Sequence, residues 1–181
     1  MGQCKNLVPQ NVTPEDFAGS WIFVETYFEF SLHRHQNISE QRKLLNSRCE
    51  TIGLSLAEPN QLINETHLKG YSTSKSEEHE LFATRNISFA MLRIGVFKAV
   101  AVSFRGRPLI FIGKNEDRDY MTLASCEDQD WFRSNASFHL ITFRASHADY
   151  NSTMVQEMRE KIKTTLDMEN ITPIPYRQDC T

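Results

Sequence analysis

The stretch Trp21-Ile22-Phe23-Val24-Glu25-Thr26-Tyr27-Phe28-Glu29-Phe30 decides the architecture. It is filled with aromatic and β-branched side chains, which suit a pleated surface, so it predicts a strand. Alternation puts Trp21, Phe23, Glu25 and Tyr27 on one face and Ile22, Val24, Thr26 and Phe28 on the other. Just upstream, Thr13-Pro14-Glu15-Asp16 predicts a short helical turn. Thr13 caps it, Pro14 takes the first helical position, and two acids suit the positive end of the dipole. Gly19 then breaks the turn.

Downstream, Ser31 to Asn46 is polar and reads as a long loop or a short helix. From Arg48 the pattern is strand-like again. The predicted strands are Cys49–Leu56, Gln61–Lys69, Glu80–Arg85, Phe97–Phe104, Pro108–Gly113, Asp119–Ser125 and Phe138–Arg144. Turn-rich segments separate them, among them Glu58-Pro59-Asn60, Ser72 to Glu78 and Gly106-Arg107-Pro108. Short strands at this spacing predict an antiparallel sandwich or barrel. The period changes between Ser152 and Leu166, where Met154, Val155, Met158, Ile162 and Leu166 form one apolar stripe on a helix. Thr153 with Gln156 resembles a capping box. Pro173 and Pro175 are expected to end regular structure. A barrel of eight strands leaves an interior that can hold one small ligand.

The compartment is written in two patterns. Asn-x-Ser/Thr occurs seven times, at Asn11, Asn37, Asn64, Asn86, Asn135, Asn151 and Asn170. Chance would give roughly two such triplets, so the excess predicts a secreted chain carrying N-linked glycans. Cys4, Cys49, Cys126 and Cys180 fit two disulfides in an oxidising compartment, with three pairings open. There is no CxxC pair to suggest a zinc cluster. A signal peptide is not evident, so Met1 is expected to begin a mature chain whose leader has been removed. Asn6 stands where a myristoylation signal needs Ser or Thr, which argues against acylation. At 181 residues and 40% hydrophobic content, one domain spanning 1–181 is expected. A net charge of −3 argues against nucleic acid and anionic membranes as partners. No apolar run approaches the ~18 residues a spanning helix needs, so membrane insertion is not expected.

Three short motifs carry a family resemblance. Gly19-Ser20-Trp21 resembles the lipocalin Gly-x-Trp motif. Asp119-Tyr120 resembles the second lipocalin motif, and Arg144, closing Leu140-Ile141-Thr142-Phe143-Arg144, the third. The resemblance implies an all-β, eight-stranded antiparallel up-and-down lipocalin barrel with one C-terminal α-helix packed on the outside. It also implies that Arg144 packs across Trp21 at the closed end. The N-terminal Cys4-Lys5-Asn6-Leu7-Val8-Pro9, the dense sequons and the closing Tyr176-Arg177-Gln178-Asp179-Cys180 are similar to the α1-acid glycoprotein type. That type includes the fish tributyltin-binding and pufferfish saxitoxin/tetrodotoxin-binding proteins. The cysteines depart from it, with Thr164-Thr165-Leu166 where a helix-end cysteine is expected and Cys49 early. Cys49–Cys180 with Cys4–Cys126 is the pairing expected here.

The function expected is binding, sequestration or carriage of a small molecule without chemistry or cofactor. A xenobiotic or toxin (saxitoxin, tetrodotoxin or tributyltin) or a lipophilic plasma ligand would sit in the barrel. Ligand contacts are expected from Phe23, Glu25, Tyr27, Phe97, Phe111, Tyr120 and Phe143. Glu25, with Glu29 beside it, would meet a cation and the rings would offer π faces. The structural alternative for Glu25 is pairing with an inward Arg or Lys, or a place at the wet mouth. Three other functions compete. One is a prostaglandin-isomerase-like lipocalin enzyme using Cys49 as a thiolate. Another is an immunomodulatory glycoprotein acting through its surface. The last is haem or metal binding through His33-x-His35, His67, His79, His139 or His147. No Ser/His/Asp order, phosphate loop or carboxylate pair suggests hydrolysis or phosphoryl transfer.

Overall fold

A computed structural model describes residues 7–30, 43, 46–58, 67–76, 83–100, 108–126, 136–166 and 172–179. Helix α1 (Pro14–Phe17) leads into strand β1 (Gly19–Phe30). Then come β2 (Arg48–Leu56), β3 (Leu68–Ser76), β4 (Ala83–Arg93), β5 (Val96–Ala99), β6 (Pro108–Lys114), β7 (Tyr120–Cys126) and β8 (Ala136–Ala145). Helix α2 (Ser152–Leu166) and a short β9 (Ile174–Pro175) follow. Each of β1 to β7 pairs antiparallel with the next, and β1 also pairs with β8, so the sheet closes into an eight-stranded up-and-down barrel with α2 outside. Closure removes the sheet edges that would otherwise invite pairing between chains.

Helix α1 forms as its sequence dictates. The Thr13 hydroxyl accepts from Asp16 N–H, and the Asp16 carboxylate accepts from Thr13 N–H at 2.9 Å, closing a capping box. The turn projects Phe17 into the closed end of the barrel. There its ring meets those of Trp21, Phe89, Phe97, Phe111 and Phe143, with centroids 4.8–6.1 Å away. The β4–β5 turn lies against this entry segment. Gly95 (φ 73°) donates its N–H to Val12 C=O, and a Cβ there would stand 2.0 Å from the Gln10 carbonyl oxygen. Only glycine fits that approach.

Several sequence expectations are corrected. The third strand is Leu68–Ser76, where Gln61–Lys69 was expected, and residues 59–66 lie outside the described residues. Ser72 to Ser76, read as a turn, is the polar half of β3, held by ladders on both sides. The fourth strand runs far beyond Glu80–Arg85, because Ile87, Phe89 and Met91 alternate onto the interior face. Helix α2 has the expected bounds, but its cap is Asn151, whose Oδ1 accepts from Met154 N–H at 3.1 Å, and not Thr153. Ile174–Pro175 continues as a strand where the prolines were expected to end structure. Proline suits this edge, where its missing N–H costs no ladder bond.

The strand that opens the reading carries a decisive irregularity. Its register on β8 slips between Phe23 and Glu25. One extra residue at a bulge reverses which face the later side chains take. Trp21 and Phe23 remain inside with the main core. Glu25 and Tyr27 are turned outward, against α2. β1 also leaves β2 here: the two pair only from Gly19 to Ile22. The C-terminal segment fills the resulting seam. Tyr176 N–H donates to Val24 C=O at 2.9 Å, and Arg177 N–H donates to Arg48 C=O at 3.0 Å.

Candidate ligand site

The seven predicted contact residues separate into three groups. Phe97, Phe111 and Phe143 are inside but fully packed, each within the ring cluster around Phe17. They form a solid floor. Glu25, Tyr27 and Tyr120 are outside the barrel, which corrects the expectation that they line it. The Glu25 carboxylate accepts from Arg159 Nη2 at 2.5 Å and Nε at 3.3 Å, in an ion pair with helix α2. Tyr27 packs against the cluster of Ile112, Ile162 and Leu166. Tyr120 packs with Val24, Val155 and Met158, while its hydroxyl donates to Asp149 C=O at 2.7 Å and accepts from Asn151 N–H at 2.8 Å. Phe23 alone stands at the top of the apolar stack. It is half-buried, edge-on to Phe143 at 4.8 Å and to Tyr176 at 5.5 Å. The side chain of Glu29 lies outside the described residues.

Above Phe23 the interior face changes character. On β2 the inward parity runs Leu54, Ile52, Glu50, Arg48, and on β3 it runs Leu68, Gly70, Ser72, Ser74. The Ser74 hydroxyl donates to Glu50 Oε1 at 2.6 Å. Arg48 on β2 and Arg85 on β4 both lie close enough to act on that carboxylate, and Arg85 is solvent-exposed. Burial nevertheless dominates and holds the Glu50 carboxyl above the usual 4.5. Across the seam, the Tyr176 phenol is pushed up by burial first and by the Glu50 charge second. Its hydroxyl reaches Thr26. The inner wall above Phe23 therefore carries a desolvated carboxylate with Arg48 and Arg85 near it, a hydroxyl partner and two rings, those of Phe23 and Tyr176.

Sequence reasoning missed Glu50, Ser74 and Tyr176. A signal for the first two existed: each continues, in polar form, the parity of an apolar inner face. Tyr176 had none, because nothing local says that the tail enters the barrel wall.

The remaining expectations fall as follows. Arg144 is buried, with Nη1 donating to Ala148 C=O at 2.7 Å. Its Nε and Nη2 donate to the Gln178 side-chain and main-chain oxygens at 3.0 and 3.1 Å. Trp21 Nε1 donates to Phe17 C=O at 2.9 Å. The guanidinium thus clamps the C-terminal segment, and no ring contact between it and Trp21 is found among the described residues. Cys49 takes the outward parity of β2, is buried, and is not a free thiol, which removes the nucleophile the isomerase-like alternative required. Cys4 and Cys180 lie outside the described residues, as does the side chain of Cys126. His67 accepts from Met91 N–H through Nδ1, His147 meets Asp119, and His139 meets Thr26, three separate places. No cluster of three potential metal ligands occurs among the described residues. His33, His35 and His79 lie outside them.

The sequence matches no protein-family model and no curated protein. Solved structures do match its fold. The chain is similar to apocrustacyanin C2 at 15% identity and TM-score 0.60, covering 96% of this chain and 91% of that one. It is similar to the cockroach major allergen Per a 4 at 15% identity and TM-score 0.58, covering 96% and 94%. The siderocalin Ex-FABP, described as having dual ligand specificities, aligns at 10% identity and TM-score 0.59, covering 91% and 95%. These are lipocalin-fold proteins, and the barrel here has that fold.

Proposed function

We propose that this chain is a secreted, glycosylated binding protein that sequesters one compact small molecule in the upper half of its barrel, in a single domain over 1–181, without chemical turnover. The observation that carries the reading is the change of the inner wall at Phe23. Below it, Phe17 and its ring partners fill the interior. Above it, Glu50, Ser74 and Tyr176 face inward. An eight-stranded barrel is just wide enough to be filled or to hold one ligand; below Phe23 it is filled, and the proposal places the ligand above. The desolvated carboxylate and the π faces favour a compact organic cation, whose charge would offset the cost of burying Glu50. Guanidinium toxins, tributyltin and the α1-acid glycoprotein type of carrier remain the finer form of this proposal.

Calorimetric titration with matched probes tests it: benzylammonium, benzyl alcohol and benzoate, followed by a steroid, a fatty acid, tributyltin, tetrodotoxin and saxitoxin. Benzylammonium should bind tightest of the three matched probes, with one site per chain. Glu50→Gln should weaken it by about 1.5–3 kcal/mol, the worth of a charged hydrogen bond. Preference for benzoate, or a fatty acid bound indifferently to Glu50→Gln, would sink the cation reading.

The disulfide pairing Cys49–Cys180 with Cys4–Cys126 belongs to the same proposal. The bond from Arg177 N–H to Arg48 C=O runs the tail alongside Cys49 and supports the first bridge. Peptide mapping without reduction should recover the 49–180 pair.

A further inference from the structure

Tyr71 is a large aromatic left 60% exposed on the outer face of β3. Its two cross-strand neighbours explain its surroundings. On one side it pairs with Gly53 of β2, which has no side chain, and the space a Cβ would occupy there is open. On the other side it pairs directly with Asn86 of β4. Asn86 is exposed and begins Asn86-Ile87-Ser88, one of the glycosylation triplets. Ile87, the next residue on β4, is buried on the inner face, so Asn86 and its partner Tyr71 both project outward. Directly opposed residues on antiparallel strands hold their Cβ atoms about 4.5–5.5 Å apart. That spacing places the first sugar of an N-linked chain beside a bare ring.

We infer that Tyr71 is the platform for an N-glycan at Asn86, the first N-acetylglucosamine laying the C–H face of its pyranose ring on the phenol ring over Gly53. The inference rests on the secretory reading above. The covalent step is the ordinary transfer of a glycan from a lipid-linked pyrophosphate donor to the Asn86 amide nitrogen, with loss of an amide proton and the donor pyrophosphate as leaving group. Tyr71 takes no part in that step. It acts afterwards, when the folded sheet brings the two residues together. Weak C–H to π-face contact and exclusion of water from the ring then tie the glycan to the barrel wall. The other two triplets with described asparagines differ. Asn151 is engaged as the cap of α2, and Asn11 lies in the entry segment, where its carbonyl accepts from Lys114.

The test uses the full chain secreted from eukaryotic cells. Occupancy is read by mass spectrometry after glycosidase release in heavy-oxygen water, and stability is measured on protein trimmed to its first N-acetylglucosamine. Asn86 should be occupied. In the native background Asn86→Gln should lower Tm by about 2–4 °C, the shift that a contribution near 1 kcal/mol makes in a chain of this size. In a Tyr71→Ala background the same change should have no effect, while Tyr71→Phe should preserve it. Equal shifts in the native and Tyr71→Ala backgrounds would overturn the platform. So would an empty Asn86 in a chain glycosylated elsewhere. A chain carrying no glycan at any triplet would overturn the secretory reading instead.

Discussion

Glu25 and Glu50 are carboxylates on adjacent strands that meet different fates. Glu25 pairs with Arg159 outside the barrel, its side chain 9% exposed against 26% for the arginine. Removing its charge strands a partly desolvated guanidinium, so Glu25→Gln should destabilise the fold by about 2–3 kcal/mol. Denaturant titration would measure this, and cation affinity should not change. Glu50 answers to burial. Its raised pKa means that the folded chain binds this proton more tightly than the unfolded chain does. Its contribution to stability therefore falls as pH rises from the usual 4.5 through the folded value. Affinity for a cation should rise over the same window, because only the ionised carboxylate attracts it. Ser74, Arg48, Arg85 and Tyr176 are the groups that face it. Titrations of benzylammonium between pH 4 and pH 8 should show this slope in the native chain and none in Glu50→Gln.

Among the elements, α1 is short for what it does. Four residues and a capping box seat Phe17 at the centre of five other rings. Phe17→Ala should cost about 3–5 kcal/mol, the usual loss for a buried phenylalanine. Thr13→Ala should cost about 1 kcal/mol through the lost cap. Chemical denaturation of both variants would check the ratio. The tail is a second small element with a large effect. It substitutes for β2 along β1, and Arg144 holds it through Gln178, whose Nε2 also donates to Phe23 C=O at 3.0 Å. Arg144→Ala should release Thr172–Asp179 first. Limited proteolysis should then cut the tail before the barrel, and a chain equally resistant would contradict the clamp.

For the whole molecule, closure of the sheet divides the apolar side chains into two populations. One fills the barrel; the other, including Val24, Tyr120, Ile112, Val155 and Ile162, joins barrel to α2. The alternation and turn chemistry made strands β1, β2, β6, β7 and β8 and helix α2 legible, because their periods are local. The polar stretch Ser72–Ser76 was not legible, since ladder bonds to β2 and β4 hold it straight and its own composition does not. The aromatic floor was half-legible. Phe97, Phe111 and Phe143 were placed inside, but their mutual packing, which denies them to a ligand, depends on Phe17 arriving from another element.

The chain alone determined its strand-rich period, the capped turn ahead of Trp21, the bounds of α2 and the seven glycosylation triplets, because each is written in neighbouring residues. Tertiary structure decided which carboxylate looks inward. A single slipped residue in β1 sent Glu25 to Arg159, while Glu50 keeps the inward parity of β2, and such a slip is set by hydrogen bonds to β8 that lie more than a hundred residues away in sequence. The same long-range pairing drew Tyr176 into the wall, since only an open seam between β1 and β2 gives its backbone partners.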